Sequence, residues 1–376
     1  MKGSRFDVVI IGGGLAGLCN AIHLSKFNKN VLLIEKNDYP KHKVCGEYIS
    51  NEVLPYLNFL GINPFDYGAV HIDTLKLSTK NNRLVETKLP LGGFGISRYT
   101  LDAVLYDKAR SQGISLLQDT VTDVTFTNNR FTTRTKTKSV FTSLIAIGAF
   151  GKRSFLDVKL QRDFIQKKSN YLAVKMHLKG AFPKHLVALH NFTGGYCGVS
   201  NVENETINLC YITNYSEFKK YKTIEDFQEN VVLKNKFLNA IFQSTHPVFE
   251  QPLTISQISF DFKKPIEQHI IMCGDAAGMI HPLCGNGMSM AIQSAQIASQ
   301  LILNYSEGKI QSRQQLEKLY ISHWNAQFRT RLRAGHMIAI MFRNERVSKF
   351  MLHLLQRMPF LLTIIIKNTH GKPIKF

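Results

Sequence analysis

Acidic residues are scarce in this chain: 27 Asp and Glu stand against 47 Lys and Arg, a formal net charge of +20 over 376 residues. Such a balance favours anionic partners, namely phospholipid headgroups, an acidic carrier protein or a phosphorylated substrate, or else serves general solubility. No nucleic-acid-binding signature accompanies it, so nucleic acid is not expected as a partner. Cysteine is sparse and scattered, at Cys19, Cys45, Cys197, Cys210, Cys273 and Cys284. With no C-x-x-C pair and no zinc-ligand spacing, a disulfide scaffold and a structural metal site are excluded, and a reducing compartment is expected. Long apolar runs are missing too. The runs Asp7–Ile11 and Pro359–Ile366 are both too short to span a bilayer. The first holds an acid and leads into a glycine turn rather than a small-residue cleavage site. The protein is therefore expected in the cytoplasm, free or peripheral at the inner face of the membrane. Internal repeats and low-complexity linkers are absent, which points to interleaved rather than strung-together domains.

What is present is organised around residues 7–35. The run Asp7-Val8-Val9-Ile10-Ile11 suits a buried parallel strand. It runs into Gly12-Gly13-Gly14-Leu15-Ala16-Gly17, placing Gly12, Gly14 and Gly17 at G-x-G-x-x-G spacing. The first glycine permits the turn, the second admits a pyrophosphate, and the third lets the next helix pack close. That helix, Leu18 to Phe27, aims its N-terminal amides at the phosphates. The strand Val31–Ile34 then ends in Glu35, eighteen residues after Gly17, where a carboxylate accepts ribose hydroxyls and repels a 2'-phosphate. A dinucleotide site is expected, with NAD and FAD both open at this point.

The loop Lys41 to Ser50 carries two lysines, Cys45 and Gly46 close to the ribose-binding strand. It is expected to lie over the cofactor; the alternative is a surface loop with an incidental cysteine. Strand patterns follow over 70–85 and from Lys88, then Gly92-Gly93-Phe94-Gly95, then a helix over 100–111 with Arg98 just before it. Arg98 either reaches a phosphate or flavin carbonyl or pairs with Asp102 at i+4. Three strand-like runs, 121–126, 130–136 and 140–147, form a meander. The last ends at Gly148-Ala149-Phe150-Gly151-Lys152-Arg153-Ser154, read as a second return to the cofactor or as an ordinary loop. Strands over 171–178, 185–192, 195–200 and 206–213 build a sheet with one face able to line an apolar pocket, and helices over 218–244 lie beside it.

A further strand, His269–Cys273, precedes Gly274-Asp275-Ala276-Ala277-Gly278 and the loop His281-Pro282-Leu283-Cys284-Gly285-Asn286-Gly287. The helix Met288–Leu303 follows, with small residues along one side. Asp275 at a strand end can accept ribityl hydroxyls, the glycines admit a flat ring, and the helix N-terminus offers partial positive charge to the N1/C2 carbonyl edge of a reduced flavin.

Taken together, Gly12 to Gly17 with Glu35, Arg98 before its helix, and Gly274-Asp275 through Pro282-x-x-Gly285-x-Gly287 resemble the FAD-dependent hydroxylase and geranylgeranyl reductase superfamily. The loop Lys43-Val44-Cys45-Gly46 is similar to that of the geranylgeranyl reductase-like branch. The resemblance covers roughly residues 5–305. It implies an α/β fold with a Rossmann-like FAD-binding domain of the two-dinucleotide-binding type, interleaved with a β-sheet substrate domain and followed by a helical C-terminal region. The expected segments are 1–70, 95–160 and 265–312 for FAD, 71–94 and 161–264 for substrate, and 313–376 for the basic helical tail. Implied FAD contacts are Gly12, Gly14, Leu15, Ala16, Gly17, Glu35, Lys36, Cys45, Arg98, Val121, Gly274, Asp275, Pro282, Gly285, Gly287 and Met288. Three departures stand out. Ala149-Phe150-Gly151 lacks the acid usual in the second motif, Met290 and Ser294 replace commoner Asn and Asp, and Trp324 is the only tryptophan. The last removes the W-x-W signature of flavin-dependent halogenases and counts against halogenation.

The resemblance implies redox chemistry on an apolar, free or carrier-bound substrate. One expectation is a reductase or desaturase of an isoprenoid, polyene or acyl chain, with hydride passing through flavin N5, NAD(P)H as possible donor, and Cys45 and Cys284 as candidate acids. A second is a monooxygenase acting on an aromatic or polyene substrate through a flavin peroxide; a third is a flavin-binding partner protein with little turnover. The tail carries ten Lys or Arg and one acid, Glu345, from Arg329 onward. With its row Tyr320, Trp324, Phe328 and Leu332 it is expected to be helical, and either lies on an anionic membrane or caps the substrate domain.

Overall fold

The apolar alternations become two sheets. In the computed structural model, residues 2–167, 170–256, 258–343, 354, 357–358 and 360–375 are described. The chain begins β1 (Lys2–Ile11), α1 (Leu15–Ser25), β2 (Val31–Glu35), β3 (Tyr48–Ser50), α2 (Leu54–Leu60), β4 (Val70–Ser78), β5 (Leu84–Gly95) and α3 (Arg98–Ser111). It continues through β6 (Ser115–Gln118), β7 (Val121–Thr127), β8 (Arg130–Thr135), β9 (Val140–Gly148), α4 (Phe155–Lys159), β10 (Tyr171–Gly180), β11 (Leu186–Phe192), β12 (Gly195–Val202) and β13 (Thr206–Asn214). Next come α5 (Tyr215–Phe218), α6 (Ile224–Asn230), α7 (Lys236–Ser244), β14 (Thr245–Pro247), β15 (Leu253–Ser256), β16 (Ile266–Glu267) and β17 (Ile270–Met272). Three helices finish the described chain: α8 (Gly287–Ser306), α9 (Arg313–Arg343) and α10 (Phe360–Thr369).

The first sheet runs β16-β17-β9-β1-β2-β6, with β8 also on β9 and β7 on β8. From β17 to β6 the pairings are parallel. Val8 to Ile11 and Val31 to Ile34 are at most 4% exposed, as expected of parallel strands covered on both faces. α1 is buried along nearly its whole length and lies against α8, where Ser299 Oγ donates to Asn20 Oδ1 at 2.8 Å. The fold is the α/β architecture expected from the glycine turn and its flanking strands.

The second sheet runs β14-β10-β13-β12-β11-β4-β5-β3, with β15 on β10. Only β11 and β4 pair in parallel among its neighbours. Residues Ile207, Leu209 and Tyr211 of β13 pack with Phe227, Leu238 and Ile241 of α6 and α7; Cys210 and Ile212, alternating with them, line a cavity on the opposite face. Gly92-Gly93-Phe94-Gly95 continues β5, where a Cβ on Gly93 would crowd Tyr48 and one on Gly95 would crowd the Asn201 carbonyl. Tyr48–Ser50, at the end of the Lys41 loop, pairs with β5 and so joins the second sheet rather than the first. In the tail, Tyr320, Trp324 and Phe328 are fully buried. Glu345 and Pro359 lie outside the described residues.

Candidate functional site

Four neighbouring strands of the first sheet end at one edge. Gly12 N donates to Ile34 O at 2.8 Å, Ala149 N to Ile11 O at 2.8 Å, and Cys273 N to Gly148 O at 3.0 Å. The glycine turn, Glu35, the Ala149–Ser154 segment and Gly274-Asp275 therefore meet at the carboxyl ends of β1, β2, β9 and β17, where ligands bind in open α/β sheets. A cavity of about 1050 Å³ opens there and extends under the second sheet. Gly14, Leu15, Ala16, Glu35, Lys36, Cys45, Arg98, Gly274, Asp275, Pro282, Cys284, Gly285, Gly287 and Met288 all line it. Gly12, Gly17 and Val121 do not: the two glycines serve close packing of backbone on backbone, and the Val121 side chain belongs to the core of the first sheet.

Glu35 is tied to the turn it follows. Its Oε2 accepts from Gly13 N at 2.7 Å, while Oε1 accepts from Asn37 N at 2.9 Å and Asn37 Nδ2 at 2.6 Å. Arg98 takes the i+4 option. Its Nε and Nη2 donate to the two oxygens of Asp102 at 2.7 and 2.8 Å, and Lys43 adds a contact to Asp102 Oδ2 at 2.7 Å. Burial works against the Asp102 carboxylate, yet Arg98 and Lys43 hold its pKa below the usual range. Arg98 is nevertheless no free surface residue: its side chain is only 14% exposed and lines the cavity, with Nη2 3.7 Å from a Cβ built on Gly14. The i+4 pair with Asp102 is thus formed at the edge of the cavity rather than at the open surface.

The Ala149–Ser154 segment returns to the cavity along its whole length. Where the second motif lacks an acid, a buried cation stands nearby: Lys263 Nζ donates to Lys152 O at 2.8 Å and Asp275 O at 2.7 Å, and burial lowers its pKa to about 8. Ser294, one of the departures, accepts from Gly274 N at 2.9 Å through its hydroxyl, fixing the turn that Asp275 follows. The N-terminal residues Gly287, Met288 and Ala291 of α8 face the cavity. Of the two candidate thiols, Cys284 is pushed up to about 12 by burial, which makes it a poor acid; Cys45 is half-buried, and the carbonyl of Gly46 beside it accepts from Asn208 Nδ2 at 2.8 Å.

Sequence reasoning missed the buried ion cluster that holds the Cys45 loop. Glu47, with φ +54°, is fully buried and pairs with Lys175 Nζ, accepts from Arg98 N at 2.8 Å, and contacts His177 Nε2 at 2.8 Å. Burial alone would raise its pKa, but the His177 hydrogen bond and the Lys175 charge outweigh it and the net shift is downward. His42 packs edge-on against His177. Partners 128 and 130 residues apart leave no local pattern to find. On the far side, Leu75, Leu77, Leu89, Val187 and Leu189 of the second sheet face Leu362, Ile365 and Ile366 of α10 across the cavity.

The cavity-facing glycines test whether a bulky planar group fits. A Cβ on Gly46 or Gly151 would meet nothing within 4 Å, and one on Gly287 only Ile280 at 3.8 Å. The space beside them is open rather than packed, which leaves room for such a group. A family model described as "FAD binding domain" matches residues 5–314. The chain belongs to the FAD binding domain family. This FAD-binding protein is 24% identical over 357 residues to conditioned medium factor receptor 1 of Dictyostelium discoideum, covering 86% of the chain and 68% of that relative. It is 23% identical over 345 residues to digeranylgeranylglycerophospholipid reductase of Methanococcus vannielii, covering 88% and 83%. The solved flavin-dependent brominase Bmp2 superposes with a TM-score of 0.80 at 18% identity, covering 96% and 92% of the two chains, a likeness of fold. FAD is the cofactor, and the protein is of the FAD-dependent oxidoreductase superfamily. No helix among the described residues is long and apolar enough to cross a membrane.

Proposed function

We propose that this protein reduces or desaturates a lipophilic isoprenoid, polyene or acyl substrate, with NAD(P)H as electron donor. The observation that supports the reading is the apolar wall: leucines and valines of β4, β5 and β11 face α10 across the same cavity that the glycine turns enter. Bound FAD supplies hydride transfer. Gly14, Leu15 and Ala16 would hold its pyrophosphate edge, Glu35 and Lys36 its ribose end, and Asp275 with the N-terminus of α8 the ring side. The apolar wall excludes water and aligns an extended chain along the second sheet. Reduction of a double bond consumes one hydride and one proton; Cys45, at the cavity and less buried than Cys284, is the better placed thiol to give up the proton. The names of relatives such as the Methanococcus reductase point the same way.

The test is an absorbance spectrum of the purified protein, then anaerobic addition of NADPH or NADH, then a panel of polyunsaturated lipids with and without air. The expected result is bound flavin that a donor bleaches and an unsaturated lipid reoxidises without oxygen. Product formed only with stoichiometric oxygen uptake would replace this reading with a monooxygenase. Flavin that no donor reduces at useful speed would leave a binding protein.

A further inference from the structure

α10 is apolar on two sides. Its inner stripe, Leu362, Ile366 and Thr369, is buried, and Leu362, Ile365 and Ile366 wall the cavity. On its outer stripe, Phe360 and Ile364 stand at i, i+4 and are 55% and 48% exposed, with exposed Lys367 following at i+7. A helix apolar all round belongs in a core or an apolar medium, and the second sheet covers only one side of this one. Met358 before it is exposed, as are Met337 and Ile340 of α9, the helix against which α10 rests. The sequence has no acid from 346 to 376, and Arg357, Lys367, Lys372 and Lys375 are exposed.

We propose that the outer face of α10 seats on an anionic lipid surface, with Phe360 and Ile364 entering the boundary between headgroups and acyl chains and the nearby cations resting on phosphates. A second copy of the chain is disfavoured as occupant, because it would bring another acid-free basic face against the first. Since the opposite stripe of the same helix walls the cavity, a bilayer-dissolved substrate reaches the chamber beside α10 without passing through water. That last step rests on the lipophilic-substrate reading; the docking rests on the exposed stripe and its charges.

The test is co-sedimentation of the full FAD-loaded protein with vesicles of phosphatidylcholine alone or mixed with phosphatidylglycerol. Binding is expected to the mixed vesicles and to weaken with salt. Ile364→Glu or Phe360→Ser should reduce it roughly tenfold or more, with flavin content and melting temperature matching the parent. Phe27→Ser, an exposed phenylalanine just past the far end of α1, should leave it unchanged. Failure to bind mixed vesicles overturns the proposal. So does binding that salt abolishes but neither α10 substitution weakens, which would assign it to the basic surface at large, and so does a dimer that Ile364→Glu dissociates without any vesicle binding. Turnover of a lipid in detergent micelles by a protein that ignores vesicles sinks the docking alone. Vesicle binding by a protein that turns over no lipid sinks the substrate reading alone.

Discussion

At the level of single residues, glycines with the same sequence signature do different work. A Cβ on Gly17 would lie inside the shell of the Gly12 carbonyl oxygen, and one on Gly12, at φ +102°, would strike Ala149 and Phe150. Neither faces the cavity. Gly287 faces it and has room, its nearest neighbour being Ile280 at 3.8 Å. Gly17→Ala is therefore expected to cost about 3 kcal/mol or more of stability even without cofactor, seen as a lowered melting point of the flavin-free protein. Gly287→Ala should leave that melting point unchanged and weaken flavin binding roughly tenfold or more, read by equilibrium dialysis of the flavin; full retention would remove Gly287 from the cofactor's surroundings. Spacing revealed all three glycines but not this division, because the sequence shows where a side chain is missing and not what would collide with one. Glu47 is the converse case: it stands in a motif-bearing loop, yet its buried partners Lys175 and His177 lie on β10.

At the level of elements, the C-terminal segment is a strap. Glu52, fully buried just before α2, contacts Asn286 Nδ2 at the start of α8 at 3.1 Å and Arg331 of α9 at 3.3 Å, and also accepts from Gly371 N beyond α10. Its backbone carbonyl accepts from Ile374 N at 2.9 Å. One carboxylate thus joins the helix whose N-terminus lines the cavity to the segment that walls its far side. A Cβ on Gly371 would press on the Arg331 guanidinium and come within 2.7 Å of Glu52 Oε2. Gly371→Ala is expected to loosen the strap, raising the rate of limited proteolysis between α9 and the C-terminus about tenfold while flavin binding persists; unchanged cleavage would show that the strap tolerates the methyl. The sequence offered the tail as cap or membrane anchor. Its inner stripe acts as a cap, and only the exposure of the outer stripe keeps the membrane open as a partner.

Across the described residues of the molecule, burial moves several imidazoles away from their ordinary titration. Burial lowers His23, His190, His281 and His370 from 6.5 to about 4. Between those two values the unfolded chain binds protons that the folded one does not, so stability falls as the pH drops from about 6.5 toward 4. At pH 5 each contributes a loss of about 2 kcal/mol, together comparable to a typical domain's ~5–15 kcal/mol. The depressed carboxyl of Glu47 adds a further loss only below its ordinary range near 4. A steep fall in melting temperature from pH 6.5 to 5 is expected in scanning calorimetry, whereas a flat profile would mean that these histidines are hydrated or charged in the fold. Because His370 belongs to the strap, its segment should release early in that transition.

By itself the sequence determined the first sheet and its cofactor edge, because a strand, a glycine turn, a helix and an acid at fixed spacing are consecutive in the chain and their chemistry is local. It likewise determined the alternation of β13 and the buried row of α9, since periods of two and near four are written in the order of residues. Only the tertiary structure decided that Arg98 shares Asp102 with Lys43, that Glu47 is neutralised by β10, and that the last helix of the chain completes a chamber begun at β4. Those contacts join residues that are distant in sequence, and their energies come from burial and charge pairing, which depend on what the folded chain brings together rather than on what stands next in line.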